Sequence, residues 1–198
     1  YSILVDEAHN LVERARDMYS AQLSKRNFLY QKKVLKETAP KAYKELVKIN
    51  KIFIELRKGF EKRYDTMTVE LPKELHSHVE KFIEAFDQFL SKNHGVPIDE
   101  GLLDLFFSCR TFLSVYDFYD ERYVTFVTRE DSEVQLKLFC VDPSYLLRKA
   151  CSKGRSAVFF SGTLQPLSFY KDMLGGEEDD RTMCLPSPFP PENLCLVV

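Results

Sequence analysis

Three side chains that could act on a phosphate group follow a short apolar stretch near the start of the chain. Residues 3–5, Ile-Leu-Val, are typical of a buried parallel strand, and Asp6, Glu7 and His9 come directly after them. Open α/β sheets bind their ligands at the carboxyl ends of their strands, where these side chains would lie. One carboxylate can hold Mg²⁺, and its neighbour can polarise a water molecule for attack on phosphorus. The stretch therefore favours nucleotide chemistry.

The same residues also have a simpler structural interpretation. Asp6 could cap a helix that begins at Glu7, with Glu7 and Asp17 as ordinary surface acids. A motif this short also occurs by chance. The choice between the two interpretations depends on a second stretch, far along the chain.

The second apolar stretch ends in small polar residues. Residues 157–160, Ala-Val-Phe-Phe, precede Ser161, Gly162 and Thr163. If this stretch is a strand of the same sheet, its hydroxyl groups reach the edge where Asp6 and Glu7 lie. The sequence thus predicts that the two ends of the chain lie side by side in one sheet, with the acids and the hydroxyls facing a common nucleotide.

The order of these two motifs is similar to that of a known family of motor proteins. Asp-Glu-Ala-His after one strand and Ser-Gly-Thr after another resemble motifs II and III of the XPD-like and DinG-like DNA helicases. Three further matches are Asn-Leu at residues 10–11, Gln-Pro-Leu at residues 165–167, and Ser-Pro-Phe at residues 187–189 before the apolar residues 194–198. The resemblance is specific at both ends of the chain and only topological between them.

This resemblance implies an ATP-dependent DNA helicase of 5′→3′ polarity that uses ATP and Mg²⁺ and moves along single-stranded DNA. Asp6 would hold Mg²⁺ through water, and Glu7 would orient and deprotonate the attacking water. His9 would bond towards motif III, and residues 161–163 would report the nucleotide state to the DNA-binding surface.

One expected motif is missing from the chain. No Gly-x-x-x-x-Gly-Lys-Ser/Thr phosphate loop occurs in the 198 residues, which begin without Met inside a predicted strand and end in an apolar run. In the family the phosphate loop precedes motif II, so we expect a middle piece of a larger helicase that does not hydrolyse ATP alone. The resemblance leaves open whether the parent belongs to the DinG or the XPD branch. It therefore also leaves open whether a 4Fe–4S cluster lies upstream of this chain; none is expected within it.

Composition is that of an ordinary globular protein, with 44% hydrophobic and 29% charged residues. No run approaches the roughly 18 apolar residues of a membrane helix, and no signal peptide opens the chain. We therefore expect no membrane contact and an intracellular location, in the cytoplasm of a prokaryote or the nucleus of a eukaryote. The five cysteines form no C-x-x-C pair, so reduced thiols are expected rather than a metal site.

Charge is distributed unevenly, although the net charge is only −2. Residues 25–63 carry 13 Lys and Arg against 4 Asp and Glu, whereas residues 64–133 carry 6 against 15. This asymmetry is consistent with a surface that faces a polyanion, and equally with a basic helix face paired to the acidic segment. The candidate DNA-binding residues are five basic residues of one predicted helix: Lys44, Lys48, Lys51, Arg57 and Lys58.

Between the two motifs the sequence predicts helices and one small β element. Apolar residues at three- and four-residue spacing predict helices over residues 11–30, 41–64, 72–93 and 97–119. Alternating polarity predicts a β-hairpin over residues 123–140, with a turn at residues 130–132. Shorter helices are predicted over residues 142–152 and 166–174.

These elements predict an α+β fold. A mainly helical insert with a β-hairpin matches the family's arch domain, and partial α/β, RecA-like motor-domain strands come from both ends of the chain. The predicted domains are residues 1–20 (motif II strand and helix of motor domain 1), 21–140 (arch), 141–185 (return to motor domain 1 with motif III) and 186–198 (hinge and start of motor domain 2). The alternative is a helical protein-interaction module that regulates a motor ATPase by binding a partner protein.

Overall fold

The chain divides into two compact units, one of which takes residues from both ends of the sequence. The computed structural model describes residues 1–93, 97–188 and 190. The first unit consists of Tyr1–His9 and Ser144–Val198, and the second of Asn10–Pro143. The predicted α+β class is confirmed, because the described residues form eight α-helices, a parallel two-stranded sheet and an antiparallel four-stranded sheet. None of the described helices is both long and apolar enough to cross a membrane.

The elements follow one another in an irregular alternation of helices and strands. In chain order they are β1 (Ser2–Val5), a 3-10 turn (Ala8–Asn10), α1 (Leu11–Met18), β2 (Ala21–Ser24), α2 (Lys25–Tyr30), α3 (Lys32–Thr38), α4 (Pro40–Lys58), β3 (Tyr64–Thr68), α5 (Lys73–Lys92), α6 (Glu100–Tyr116), β4 (Tyr123–Glu130), β5 (Glu133–Cys140), α7 (Ser144–Cys151), β6 (Ser156–Phe159) and α8 (Leu167–Met173).

The core of the second unit is an aromatic cluster shared by three helices. Apolar residues recur every three or four positions in α4 and α5, so each helix buries one stripe. The ring centroid of Phe28 on α2 lies 5.8 Å from that of Phe53 on α4 and 6.5 Å from that of Phe82 on α5. All three side chains are fully buried, so they join α2, α4 and α5.

The antiparallel sheet of the second unit has the strand order β2-β5-β4-β3. Its centre is the predicted hairpin of β4 and β5, which turns at Asp131 and Ser132. Asp131 has a φ of 55°, a left-handed conformation that Asp tolerates better than most residues. Buried residues such as Val127 and Leu136 alternate with half-exposed ones along both strands, so one face of the sheet packs on the core.

The prediction of one helix over residues 11–30 is wrong, because β2 separates α1 from α2. β2 pairs with β5 and alternates buried Leu23 with exposed Gln22. The Oγ of Ser20, just before β2, accepts a hydrogen bond of 3.0 Å from the Cys140 N–H. Pairing with a strand that comes late in the sequence thus overrides the local helical pattern.

The prediction of one helix over residues 41–64 is also wrong at its end, since α4 stops at Lys58 and Tyr64 begins β3. β3 pairs with β4, where the hydroxyl oxygens of Thr66 and Thr128 lie 3.1 Å apart. Tyr and Thr have a high propensity for β-strands, and the spacing of apolar residues alone does not indicate this preference.

The other predicted helices agree with α5, α6, α7 and α8 to within three residues at each end. Residues 94–96, between the predicted helices over residues 72–93 and 97–119, lie outside the described residues. Phe189 and residues 194–198, which entered the family resemblance, also lie outside them.

The first unit is built on a parallel pair of strands. β1 and β6 pair in register, with Val5 opposite Phe159. After α8 the chain turns at Gly175, whose φ of 83° is a conformation that glycine adopts without strain. A Cβ atom at Gly175 would lie 2.5 Å from the carbonyl oxygen of Ser144, so the close approach of these two segments requires glycine.

Replacing Phe82 by Ala should lower the free energy of unfolding by about 3–5 kcal/mol, because it removes a fully buried ring from the aromatic cluster. Urea unfolding followed by circular dichroism measures this loss. Leu29→Ala is the control, since Leu29 lies next to Phe28 in sequence but is 41% exposed. Equal losses for both variants would contradict this assignment of the core.

Candidate functional site

The parallel pairing of β1 and β6 places the carboxyl ends of both strands side by side. Beyond the last paired residues the ladder continues, because the Phe160 N–H donates to the Val5 carbonyl oxygen at 3.0 Å and the Ala8 N–H donates to the Phe160 carbonyl oxygen at 3.1 Å. The predicted juxtaposition of the two ends of the chain is therefore present. The side chains that follow both strands lie at one edge of this sheet, as expected for an open α/β sheet.

The backbone at Glu7 is strained where it leaves β1. Glu7 has a φ of 49°, a left-handed conformation that is uncommon for residues other than glycine, asparagine and aspartate. Its N–H donates to Oδ1 of Asp6 at 2.7 Å, and the next residue, Ala8, is fully buried. Such strain costs of order 1–3 kcal/mol and tends to occur at functional sites. Here it turns the Glu7 side chain towards the end of β6.

Ser161 is the centre of a hydrogen-bonded cluster at this edge. Its Oγ donates to Oε2 of Glu7 at 3.0 Å, lies 2.8 Å from Nδ1 of His9, and accepts the Thr163 N–H at 3.2 Å. Glu7 and Ser161 are 154 residues apart in the sequence. We call Glu7, His9, Ser161 and Thr163 the strand-end cluster.

Nδ1 of His9 is shared by the other members of the strand-end cluster. It lies 3.0 Å from Oγ1 of Thr163 and 3.1 Å from Oε2 of Glu7. A ring nitrogen carries at most one proton, so the imidazole tautomer decides which of these contacts donate and which accept. The His9 side chain is 31% exposed and that of Glu7 is 63% exposed, so these contacts position the side chains more than they stabilise the fold.

The acidic residues of the site are compatible with Mg²⁺, which prefers oxygen ligands and takes one or two carboxylates while keeping several waters. Asp6 is exposed, and its Oδ1 already accepts the Glu7 N–H. Among the residues that the structure describes, no group of three or more acidic, histidine or cysteine side chains could enclose a metal ion. That Asp6 holds Mg²⁺ through water stays a prediction.

The remaining member of the second motif, Gly162, lies in open space. A Cβ atom at this position would meet no atom within 4 Å. Packing within the described residues therefore does not explain the glycine, and its predicted role in coupling stays a prediction.

The candidate DNA-binding residues on α4 do not share one face. At roughly 3.6 residues per turn, Lys44, Lys48, Lys51 and Lys58 lie opposite the buried stripe and are exposed to solvent. Arg57 lies at the border of the buried stripe and is half-buried. Burial, and after it the charge of Arg57, lowers the pKa of Lys25.

Two of these four lysines are paired with acids on the same helix. The Nζ of Lys48 donates to Glu45 and that of Lys58 donates to Glu55, each at 2.8 Å. Burial would raise the pKa of Glu45, but hydrogen bonds from Lys48 and His78 outweigh burial and lower it. Glu45 thus carries a full negative charge at neutral pH, and the basic face is weaker than its lysine count implies.

An apolar groove beside this basic face was missed by sequence reasoning. It has a volume of about 590 Å³ and lies between α4, β3 and the start of α5. Its apolar lining comes from Ile52, Leu56, Met67 and Pro72. The predicted helix over residues 41–64 did not indicate this groove, because Met67 contributes to its lining from strand β3, which the sequence did not predict.

Comparison with known proteins bears on the fold. No protein-family model matches the chain, and no curated protein matches it. A solved structure, that of S. tokodaii Xpd4, is similar, with a TM-score of 0.50 and 19% sequence identity. The fold is XPD-like. The likeness covers 83% of this chain and 33% of the Xpd4 chain, so this chain spans about a third of that protein. At this identity the likeness does not reach the roles of individual residues.

Replacing Ser161 by Ala should disorder the end of β6 without unfolding the protein. It removes the partner that Glu7 and the Thr163 N–H share, so we expect the Thr163 amide to exchange with solvent about tenfold faster. Hydrogen exchange followed by NMR measures this rate. Ser156→Ala is the matched control, because the Ser156 hydroxyl donates only to Ser2 at the other end of the same strand pair. Unchanged exchange at Thr163 in the Ser161 variant would contradict its central position.

Proposed function

We propose that this chain is a segment of an ATP-dependent DNA helicase that moves 5′→3′ along single-stranded DNA, with residues 6–9 as motif II and residues 161–163 as motif III. The observation that carries this proposal is the strand-end cluster, which joins two strand ends of one parallel sheet. If Asp6 were only a helix cap, nothing would require the Ser161 hydroxyl, which follows a distant strand, to lie beside Glu7. The XPD-like fold supports the same proposal.

Exposed apolar residues on the parallel sheet give independent support. Leu4 is 70% exposed, and its neighbours on the same face, Val158 and Phe160, are 49% and 45% exposed. Parallel strands are normally covered on both faces. The exposure of this face is what we expect if β1 and β6 belong to a larger motor-domain sheet.

In the proposed mechanism the carboxylate of Glu7 orients the water that attacks the terminal phosphorus of ATP and accepts its proton. Asp6 would hold Mg²⁺, through water. When bound, Mg²⁺ neutralises charge on the phosphate oxygens. The isolated chain is not expected to hydrolyse ATP, because its sequence contains no phosphate loop.

Glu7 also offers a route by which the site is coupled to motif III. Its Oε2 is occupied by the Ser161 hydroxyl in this structure. When Glu7 turns towards a water molecule it releases that hydroxyl, whose nearest other partners are His9 at 2.8 Å and Thr163 Oγ1 at 3.2 Å. In this proposal motif III switches from the arrangement in which Ser161 donates to Glu7 to a second one in which it is released, and the nucleotide selects between them. Coupling between sites requires a two-state element of this kind.

In this proposal residues 21–140 form the arch, and its exposed lysines on α4 contact the phosphates of a single strand. Lys44 and Lys51 are the strongest candidates, because Lys48 and Lys58 are already paired with glutamates. Phosphate contacts of this kind supply affinity without sequence preference.

The test of the catalytic proposal uses the full-length protein that contains this segment. Glu7→Gln should lower kcat for DNA-stimulated ATP hydrolysis by about 10²–10⁴-fold, the usual contribution of a positioned general base. KM for ATP should change little, since Gln keeps the size of the side chain. Glu13→Gln is the control, because Glu13 pairs with Arg16 on α1, outside the strand-end cluster. A loss of less than tenfold would exclude Glu7 as the base, and ATP turnover by the isolated 198-residue chain would contradict the need for a phosphate loop.

The DNA contact is tested on the isolated chain by fluorescence anisotropy with labelled oligo(dT) at several salt concentrations. Lys51→Ala should reduce the slope of log K against log salt by about 0.7, the value for one phosphate contact with a single strand. Lys58→Ala should change the slope less, because the Lys58 ammonium is already paired with Glu55 and is less available to a phosphate group.

Lys36→Ala on α3 is the control for this measurement, since Lys36 is exposed but lies outside α4. An unchanged slope for Lys44→Ala and Lys51→Ala would remove the basic face of α4 from the DNA path. Absence of oligo(dT) binding at low salt would favour the alternative, a protein-interaction module.

A further inference from the structure

A second groove in the second unit lies between β2 and the outer face of α6. Its volume is about 390 Å³. It is lined by two short segments, Ser20, Ala21 and Gln22 on one side and Asp104, Phe107, Ser108 and Thr111 on the other. Three independent features of this groove point to the same kind of ligand.

The first feature is that β2 is an edge strand of the sheet, with α6 packed beside it. In an antiparallel pair, successive residues direct their backbone N–H and C=O groups to opposite sides of the strand. The Cys140 N–H points to Ser20 and the Val141 N–H to the Arg122 carbonyl oxygen, so even-numbered residues of β5 bond towards β2. The register pairs Leu138 with Ala21. The backbone groups of its neighbour Gln22 therefore point away from the sheet, into the groove.

The other edge of the same sheet is closed in the corresponding place. In β3 the N–H of Thr66 faces outward, and the side chain of Asp65 accepts it at 2.9 Å. A carboxylate that binds the edge amide blocks the addition of another strand. In the described part of the chain, no turn or loop group binds the backbone of Gln22 in this way.

The second feature is an apolar anchor in an otherwise polar groove. Phe107 is 57% exposed, although it is one of the largest apolar side chains of α6. Its ring packs edge-on against Phe106, with the centroids 5.7 Å apart, so it is held in place. Exposed aromatic rings that are fixed by their neighbours are typical anchors in interfaces.

The third feature is the charge around the groove. Asp104 lines it, and Asp99 and Glu100 begin the same helix. The only basic residue of α6, Arg110, lies over the Phe106 ring at 5.6 Å. The groove lining contains one acid, Asp104, and no basic residue, so it favours a ligand that places a Lys or Arg side chain at that point.

We propose that this groove binds an extended segment of a partner polypeptide, which adds to β2 as a fifth strand. Backbone hydrogen bonds to Gln22 hold it, an apolar side chain packs on Phe107, and a Lys or Arg side chain faces Asp104. In this binding mode the peptide backbone pairs with an edge strand, and alternate side chains of the peptide enter pockets on the protein. The site is separate from the strand-end cluster and does not depend on the helicase proposal.

The test is anisotropy of a fluorescein-labelled peptide, Lys-Val-Lys-Phe-Lys-Val-Lys, titrated with the whole 198-residue chain. Two comparison peptides separate the features: one has alternate backbone amides N-methylated, and one has Glu in place of Lys. We expect saturable binding of the first peptide and at least about tenfold weaker binding of both others, since each loses several hydrogen bonds or all favourable charge.

Variants of the protein test the three features one at a time. Phe107→Ala should weaken binding about tenfold, and Asp104→Asn about threefold, with less dependence on salt. Gln22→Pro removes the outward N–H and the side-chain hydrogen bond of Gln22 to Gln135, but it leaves the backbone hydrogen bonds between β2 and β5 in place, because edge positions accept proline. Tyr30→Ala is the control, since Tyr30 is 69% exposed and lies outside the groove. Both the Phe107 and Asp104 changes are on the surface, so they remain informative if the Gln22 variant fails to fold.

Several outcomes would overturn the proposal. Equal binding of the N-methylated peptide would exclude strand addition, and equal binding of the Glu peptide would exclude the acidic groove. Unchanged affinity in the Phe107 and Asp104 variants would place the peptide elsewhere. A chain that is dimeric without peptide and becomes monomeric on Gln22→Pro would show that a second copy, and not a partner, occupies this edge. If oligo(dT) displaces the peptide, and still does so in the Lys44→Ala and Lys51→Ala variants, the groove binds DNA and not a polypeptide.

Discussion

The parallel pairing of β1 with β6 is the constraint on which the candidate site depends. Parallel strands require a crossover connection of at least about a dozen residues, and here the connection is residues 6–155, which contain the whole second unit. A register slip of one residue would turn every side chain of one strand to the opposite face and separate Ser161 from Glu7. The close approach of Gly154 to Ile3 helps to fix the start of the pair, since a Cβ there would lie 3.2 Å from the Ile3 side chain.

The strands that carry the site could be predicted because each is a continuous apolar run ending in polar residues. The same pattern indicated that Glu7 and Ser161 would share one sheet edge, which the structure shows. The left-handed backbone of Glu7 could not be predicted, because it results from the turn that keeps Ala8 in the ladder with Phe160. Nor could the sequence indicate that one hydroxyl, that of Ser161, is shared among the other three members of the cluster.

The two strands that sequence reasoning missed have a common physical cause. β2 and β3 have four and five residues, and each finds its hydrogen-bonding partner in the hairpin at residues 123–140. Over so short a span, buried Leu23 fits a helical stripe as well as a strand, and only the partner decides. The hairpin itself was predictable, since eight-residue strands that alternate in polarity need no distant information. Because the sequence did not predict β2 and β3, it also did not indicate the two grooves described above, each of which one of these strands lines.

Charge counts along the sequence proved a coarse guide to the surface. The excess of basic residues over residues 25–63 suggested one continuous track, yet glutamates three positions away bind Lys48 and Lys58 within that segment. Among the described residues, few ion pairs, such as that of Arg26 with Glu133 at 3.7 Å, join the basic and acidic segments. Direct ion pairing therefore does not account for the asymmetry, and the acids of α6 face solvent near the edge strand β2. The ligands proposed for the basic face of α4 and for the groove at α6 have opposite charge, so the proposals of DNA contact and of partner binding are compatible within one unit and need not be alternatives.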